Sequence, residues 1–395
     1  MKRLRITGRT VYGYTTQNKI KLVNGGRPYF DQLIHMIDQA KEIIQLQVYI
    51  YDNDETGKEI THALIMAVKR NVQVFLMADG YASQQLSKAF ISEIESSGIH
   101  FRFFEPLFKN RHAYLGRRLH HKVIVVDNQF SMVGGINISN HYNDLPNQPG
   151  WLDFALYMEG DITKDLCRVC QKIWNGYLMT EPRVICKQLP VVYNFNPETD
   201  CQLRVRRNDW ITKKNQVSSS YLEMFRKAED QIIMLSGYFI PGPIIKKQMK
   251  KAVKRGVKIK LILAGISDVK VAKYAERYMY NWILRNQIEL YEYKPRVLHG
   301  KVAVYDNKWA TIGSYNVNII SAYASIELNI DINNSDFAVM LNETIEKIIE
   351  SDCIKVTKEN FSKRNSVFSM FGEWVSYTFV RFLFYLFTFN FKQRE

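Results

Sequence analysis

At 395 residues the chain has room for two domains of ordinary size, and with 46% hydrophobic residues each can bury a core of its own. A formal net charge of +15 points to an anionic partner: nucleic acid, an acidic membrane face or a phosphate-bearing substrate. Five cysteines, odd in number and irregular in spacing, argue against a disulfide framework and read as reduced thiols of a cytosolic protein.

In chain order, the basic opening MKRLRITGRTVYGYTTQ has no apolar stretch behind it, so neither a secretory signal nor a membrane span is expected there. KEIIQLQVYIY (Lys41 to Tyr51) reads as a buried strand. A helix-like segment follows, then a second apolar strand ending AVKRNVQVFLMADG at Gly80. KNRHAYLGRRLHHK places Lys109, Arg111, Arg117 and Arg118 in one basic stretch, expected to face a headgroup or a membrane. LHHKVIVVDNQFSMVGGINIS begins at Leu119, and GWLDFALYM carries Asp153 in a strand-like setting. The Cys167–Cys170 pair has no second pair or His-x-x-His nearby and is expected to pack inside a helix rather than bind metal.

Between Thr180 and Cys201 helical periodicity is lost and Pro and Asn accumulate, as at a domain join. The pattern then repeats. EDQIIMLSGYFI (Glu229 to Ile240) parallels the first strand, AVKRGVKIKLILAG (Ala252 to Gly265) the second, and LHGKVAVYDNKWATIGSYNVN at Leu298 the histidine segment. Glu327, in SIELNIDI, stands where Asp153 stands in the first copy. The offset of about 180 to 190 residues is domain-sized rather than solenoid-sized. Alternating strand, helix and strand predict an α/β class with two tandem domains, each a mixed β-sheet flanked by helices, related by a pseudo-twofold axis and sharing one active site. The expected boundaries are 1–190, 191–360 and a tail over 361–395. From Trp374 to Phe391 the tail is aromatic and carries one charge, Arg381. A clean span needs roughly 20 apolar residues, so an interfacial or re-entrant helix is expected, with packing on the core as its competitor.

Both copies contain His-x-Lys, four residues, Asp, six residues, Gly, a small residue, any residue, Asn. Strand residues two apart share a face, so His120 sides with Lys122 and His299 with Lys301. His121 points the other way, and Gly300 in its place shows that no side-chain chemistry is needed there. Gly134 with Gly135, and Gly313 with Ser314, suit close approach to an anion, with Asn137, Ser314 and Asn316 as phosphate ligands. Two copies face to face give two histidines, two lysines and two asparagines around one phosphate, and need neither metal nor cofactor. One neutral histidine attacks phosphorus while the other, protonated, supplies the leaving group's proton. Asp153 and Glu327 are the expected orienting carboxylates.

The doubled motif resembles the phospholipase D superfamily, over about Lys21 to Lys355. The resemblance implies catalytic roles for His120, Lys122, Asp127, His299, Lys301 and Asp306, with His120 as the nucleophile. GGINISNHYND, GWLDFALYMEG, GYFIPG, RGVKIKLIL and EYKPRVLHGKVAVYDNKWATIGSYNVN look most like the bacterial cardiolipin synthases, of the shorter type without two leading membrane helices. That implies transfer of a phosphatidyl group from one phosphatidylglycerol to another through a phosphohistidine, releasing glycerol. It further implies a site on the cytoplasmic side of the cell membrane, the protein peripheral or tail-anchored, with an anionic lipid surface and no nucleic acid as partner. In NIISAYASIELN the chain departs from such relatives, which carry a basic-serine pair before Leu, Asn and Glu. With water as acceptor the same site is a phosphodiesterase on lipid or nucleic acid. A lipid-binding protein without catalysis is the remaining reading, and the survival of both His-x-Lys pairs opposes it.

Overall fold

The computed structural model of the chain describes residues 13–105, 117–176, 182–186, 201–318, 321–322, 325–364 and 367–388. Its first half contains β1 (Asn18–Asn24), α1 (Arg27–Asp38), β2 (Ile43–Val48), α2 (Glu55–Lys69), β3 (Gln73–Asp79), α3 (Lys88–Ser96) and β4 (His100–Phe104). It continues with β5 (Arg118–Leu119), β6 (Lys122–Val126), β7 (Phe130–Gly134), β8 (Phe154–Gly160) and α4 (Ile162–Asn175). The second half contains β9 (Gln202–Asp209), β10 (Lys214–Asn215), α5 (Gln216–Lys227), β11 (Gln231–Ser236), α6 (Pro243–Lys254), β12 (Lys258–Ala264), α7 (Lys270–Tyr278) and α8 (Tyr280–Arg285). There follow β13 (Glu289–Tyr293), β14 (Lys301–Tyr305), β15 (Trp309–Gly313), β16 (Ser325–Asn333), a helix over Ser335–Asp352, β17 (Cys353–Val356), a short helix over Lys358–Arg364 and a C-terminal helix over Val367–Thr388.

The sequence repeat is a repeat of topology. The first sheet runs β1-β8-β7-β6-β2-β3-β4, and the second runs β10-β9-β16-β15-β14-β11-β12-β13-β17. The shared path is the same in both: an antiparallel hairpin block (β8-β7-β6 and β16-β15-β14) joined to a parallel block (β2-β3-β4 and β11-β12-β13). The mixed sheets follow from the chain pattern. Helical crossovers such as α2 and α6 return parallel strands, whereas the tight loops between β6 and β7 and between β14 and β15 return antiparallel ones.

Local chemistry sets the elements. Asp54 caps α2 by accepting from the Gly57 N–H, and Ser87 caps α3 by accepting from the Phe90 N–H. In β6, VIVV is buried on both faces, as expected of a central strand. One face packs with α1, α2 and α3 through Ile124, Val126, Leu33 and Ile60. The other joins a core spanning both halves, where Val123, Val133 and Leu156 meet Val302, Ile312 and Leu328, with Leu166 of α4 and Leu341 of the Ser335–Asp352 helix. The two sheets therefore meet through their inner faces, and their ends come together at one place.

One sequence expectation fails here. Cys167 on α4 and Cys186 are joined as a disulfide, with Cα atoms 6.0 Å apart, instead of standing as two reduced thiols. The segment 182–186 returns against α4, bringing together cysteines 19 positions apart. Cys170 and Cys201 are buried and stand outside the disulfide, and Cys170 packs in α4 as expected.

Candidate active site

Two reciprocal crossings build the site. Just before the first histidine, β5 pairs in parallel with β16, Arg118 opposite Ser325 and Leu119 opposite Ile326. The His120 N–H then donates to the Ile326 carbonyl at 3.0 Å. In the mirror arrangement Leu152 bridges to Leu298, and the His299 and Gly300 N–H groups both donate to the Leu152 carbonyl. Each histidine is thus fixed beside the carboxylate-bearing strand of the opposite half. His120 Nδ1 lies 2.9 Å from Glu327 Oε2, and His299 Nδ1 lies 2.6 Å from Asp153 Oδ2. The sequence matched the two carboxylates by position; the structure shows that they cross over.

With Nδ1 of each ring engaged, Nε2 is left to face a substrate, and among the described residues no side chain or carbonyl hydrogen-bonds it. Lys122 and Lys301 are almost fully buried, and each donates through Nζ to the carbonyl of its own motif's histidine. Burial lowers the Lys122 pKa to about 7, with the Lys301 charge adding to the effect. Burial likewise lowers Lys301 to about 8. Burial and then Lys301 hold His299 down to about 4, against the pull of Asp153. His120 is also lowered, first by burial, although Glu327 opposes this. Burial raises the Asp153 carboxyl, but Lys301 and His299 outweigh it and hold the group below its ordinary value. The result is a desolvated site in which two buried lysines stand beside two carboxylate-held imidazoles, so an incoming anion meets cationic donors that burial has left poorly solvated.

The halves differ in one respect. Ser314 donates its hydroxyl to Glu327 Oε2 and accepts the Leu328 N–H at 3.1 Å. Gly135 holds the corresponding place in the first half, where a Cβ would come within 2.5 Å of both Asp153 carboxylate oxygens. The longer carboxylate is held by a serine; the shorter one fills the space that a serine would need.

Several expectations need correcting. Asp127 and Asp306 do not reach the site. Each sits at a hairpin tip, with Asp127 and Asn128 at φ 52 and 56 and Asp306 and Asn307 at φ 50 and 51, consecutive left-handed residues in a tight three-residue loop. Asp127 is five positions beyond Lys122, about 17 Å along a strand. The Asp127 carboxylate instead accepts the backbone N–H groups of Lys41, Glu42 and Ile43 at 2.7, 2.9 and 2.8 Å. Asp306 does the same for Glu229, Asp230 and Gln231. The signal was present in the sequence as Asp-Asn between two apolar runs. Asp127→Ala is accordingly expected to destabilise the fold by on the order of 2–4 kcal/mol, since three N–H groups lose a charged acceptor. Turnover by the molecules that stay folded should remain within a few-fold of wild type. Urea melts alongside activity at low temperature check this; a 1000-fold loss of turnover at unchanged stability would contradict it.

Asn137 and Ser314 are not free phosphate ligands either. Asn137 accepts the Ile50 N–H at 3.0 Å and donates to the Tyr142 hydroxyl at 2.8 Å, and Ser314 is committed to Glu327. Of the three, only Asn316 keeps an amide atom, Oδ1, without a partner among the described residues. Gly134 and Gly313 admit neighbouring backbone rather than an anion: a Cβ would meet the Phe154 carbonyl at 2.5 Å and the Leu328 carbonyl at 2.3 Å. Arg117 does not face a ligand, being paired with Glu105 and Asp209. Arg118 lies 3.6 Å from Asp79. Lys109 and Arg111 fall outside the described residues.

His121 does point away: it is fully buried, with Nε2 2.9 Å from Gln47 Oε1. Gly300, its counterpart, packs closely under Leu235, whose side chain would have to shift for a Cβ that comes within 2.8 Å. Sequence reasoning missed the aromatic walls. Tyr49 lies edge-on to His120 with ring centres 4.9 Å apart and beneath Lys122 Nζ at 5.2 Å. Tyr142 and Trp151 flank His299 at 5.1 and 5.8 Å. For Tyr49 and Trp151 the position beside a strand end was the available signal; Tyr142, in a short turn over Asn140–Tyr142, offered none.

The lowered lysines fix a pH dependence. A lysine binds an anion while charged, below its own pKa, and loses that hold as pH rises through it. The kcat/KM, which reports the free protein, is therefore expected to fall from about pH 7 to 8 upward. A pH profile whose alkaline limb begins only near pH 10, as for ordinary lysines, would contradict the buried-lysine picture.

Comparison with known proteins places the chain. Residues 33–147 and 221–349 match the family model described as cardiolipin synthase, PLD-like domain. The chain is 32% identical to cardiolipin synthase B of Salmonella typhi over 369 residues, covering 89% of this chain and 85% of that protein. It is 27% identical to cardiolipin synthase of Clostridium perfringens (strain SM101 / Type A) over 91% of this chain and 76% of that protein. In fold it is similar to the phosphatidylserine synthase of Haemophilus influenzae Rd KW20, with a TM-score of 0.71 at 12% identity over 92% of this chain and 93% of that one. The chain belongs to the cardiolipin synthase family, phosphatidyltransferases built on the phospholipase D-like fold.

Proposed function

We propose that the protein makes cardiolipin by transferring a phosphatidyl group from one phosphatidylglycerol to another. The observation that carries this reading is the reciprocal pair of histidine–carboxylate contacts around two buried lysines, in a chain of the cardiolipin synthase family. His120 is the nucleophile: its neutral Nε2 attacks phosphorus, and the bond from phosphorus to the glycerol oxygen breaks. Lys122 and Lys301 hold the non-bridging phosphate oxygens as point charges. The arriving anion offsets those charges, which lets His299 carry the proton it gives to the leaving glycerol alkoxide. In the second step a glycerol hydroxyl of another phosphatidylglycerol attacks phosphorus, its proton passes to His299, and the bond from phosphorus to His120 breaks. Glu327 holds His120, and Asp153 holds His299, with Nε2 toward the phosphate. His120 is the more exposed of the two side chains, 16% against 7%, as suits the attacking group.

Purified protein given phosphatidylglycerol is expected to release glycerol and cardiolipin together. Phosphatidic acid as the main product would make it a hydrolase. Cleavage of nucleic acid without lipid turnover would remove the lipid reading altogether.

A further inference from the structure

The C-terminal helix over Val367–Thr388 packs Tyr377 and Val380 on the core and leaves a second apolar face in solvent. Phe371, Trp374, Val375, Phe379 and Phe382 recur at helical spacing and all point outward, Phe371 63% and Phe382 55% exposed. The inward face holds Glu373, which is buried and paired with Arg277 at 3.0 Å. Tyr377 stacks on Tyr278 of α7 with ring centres 4.6 Å apart. A helix that packs its carboxylate inward and leaves five large apolar side chains outside is built to meet another apolar phase. The apolar surface continues onto α7 and the loop before it through Tyr274, Val271 and Ile266. The Tyr238 hydroxyl donates to Asp268 in that loop, and Ser236, two residues before Tyr238, pairs with Lys301, so the surface runs up to the rim of the active site.

A cationic groove adjoins the same helix. It measures about 770 Å³ and is lined by Lys246 and Lys250 of α6, Arg285 of α8 and Arg381 of the C-terminal helix, with Trp282 and Tyr377 as apolar walls. Among the described residues no acidic side chain lines it. Lys246 Nζ stands 5.8 Å above the Trp282 ring, and α6 extends the positive surface through Lys247, Lys251 and Lys254.

We propose that the outward face of the C-terminal helix and this cationic groove form one docking face for an anionic phospholipid bilayer, separate from the transfer site. The apolar stripe enters the interface, and the groove takes lipid phosphate headgroups that are not being turned over. Charge selects the occupant. Two copies of this face would bring like charges together, and a nucleic acid would leave the aromatic stripe in water. An anionic bilayer satisfies both features and holds the rim of the site at the lipid surface. Among the described residues no helix is long and apolar enough to cross a membrane, so contact of this kind is interfacial. The proposal rests on the reading of the substrate as a bilayer lipid.

Sedimentation with phosphatidylcholine vesicles, with and without phosphatidylglycerol, tests it on the full chain. Wild type should bind the anionic vesicles and release them with salt. Combined Phe371→Ser, Trp374→Ser and Phe379→Ser should weaken binding at least 10-fold. Combined Lys246→Ala, Lys250→Ala and Arg285→Ala should weaken it about 100-fold and erase the preference for anionic vesicles. Both variants should melt like wild type and keep their turnover of phosphatidylglycerol in detergent micelles. Folded variants that bind anionic vesicles as wild type does would overturn the proposal. So would a wild-type dimer that the serine variant dissolves with vesicle binding unchanged, or duplex DNA binding that displaces vesicles from the groove. Wild type that docks but forms no cardiolipin even in micelles would refute the function and leave the docking face standing.

Discussion

His120→Ala and His299→Ala are each expected to lower phosphatidyl transfer by about 10⁴-fold or more, because each removes a group that forms or breaks a bond in both steps. Glu327→Gln and Asp153→Asn should lower it by about 10²–10⁴-fold, since each leaves a ring in place without the charge that fixes its tautomer. The structure adds a sharper expectation. The carboxylate that serves each histidine lies in the opposite half. Glu327→Gln should therefore add nothing measurable once His120 is alanine, and Asp153→Asn nothing once His299 is alanine. Kinetics on the four single and two double variants check this. Multiplicative losses in both double variants would mean that the carboxylates act independently of the rings they touch.

Lys122→Met and Lys301→Met are expected to stabilise the fold while removing activity by about 10³-fold. The sign follows from proton linkage. Lys122 has its pKa lowered to about 7 in the folded state, against 10.5 for an ordinary lysine. Between those values the unfolded chain binds more protons, so stability rises with pH across that window, and below about pH 7 the full cost of the buried charge is present. A neutral methionine of similar length removes that cost, on the order of 2–4 kcal/mol at neutral pH. The advantage should shrink toward about pH 10, where the wild-type lysine is itself neutral when folded and increasingly so when unfolded. Thermal melts at several pH values, beside turnover, test both halves of the prediction. A Met variant less stable than wild type at pH 7 would show that the lysine contacts to the histidine carbonyls outweigh desolvation.

Much of this was legible in the sequence, for identifiable reasons. The period-2 geometry of a strand was enough to put His120 with Lys122 and His121 on the other side. The repeat was enough to give two sheets of the same connectivity, because the strand and crossover signals recur at one offset. What could not be read depends on contacts between distant segments. That Glu327 reaches His120 follows from the pairing of β5 with β16 across the halves, and no local pattern encodes it. Cys167 and Cys186 pair because segment 182–186 doubles back on α4, which irregular spacing along the chain conceals. Asp127 and Asp306 misled for the opposite reason. They recur with the histidines in both copies, yet the shared spacing reflects a hairpin of fixed length whose tip must clamp the start of the neighbouring strand. Asn137 shows the same confusion of recurrence with chemistry, and Ser314, whose counterpart is Gly135, likewise spends its hydroxyl inside the protein.

The central claim is one shared site in which a histidine carries the phosphatidyl group between two lipids. Denaturing the protein rapidly at neutral pH during turnover of phosphatidylglycerol, where the acid-labile bond from phosphorus to histidine survives, and sequencing the modified peptides by mass spectrometry tests it most directly. A phosphatidyl adduct on His120, absent from His120→Ala and slow to form in Glu327→Gln, is the predicted result. Steady cardiolipin formation with no adduct on either His120 or His299 would contradict the account.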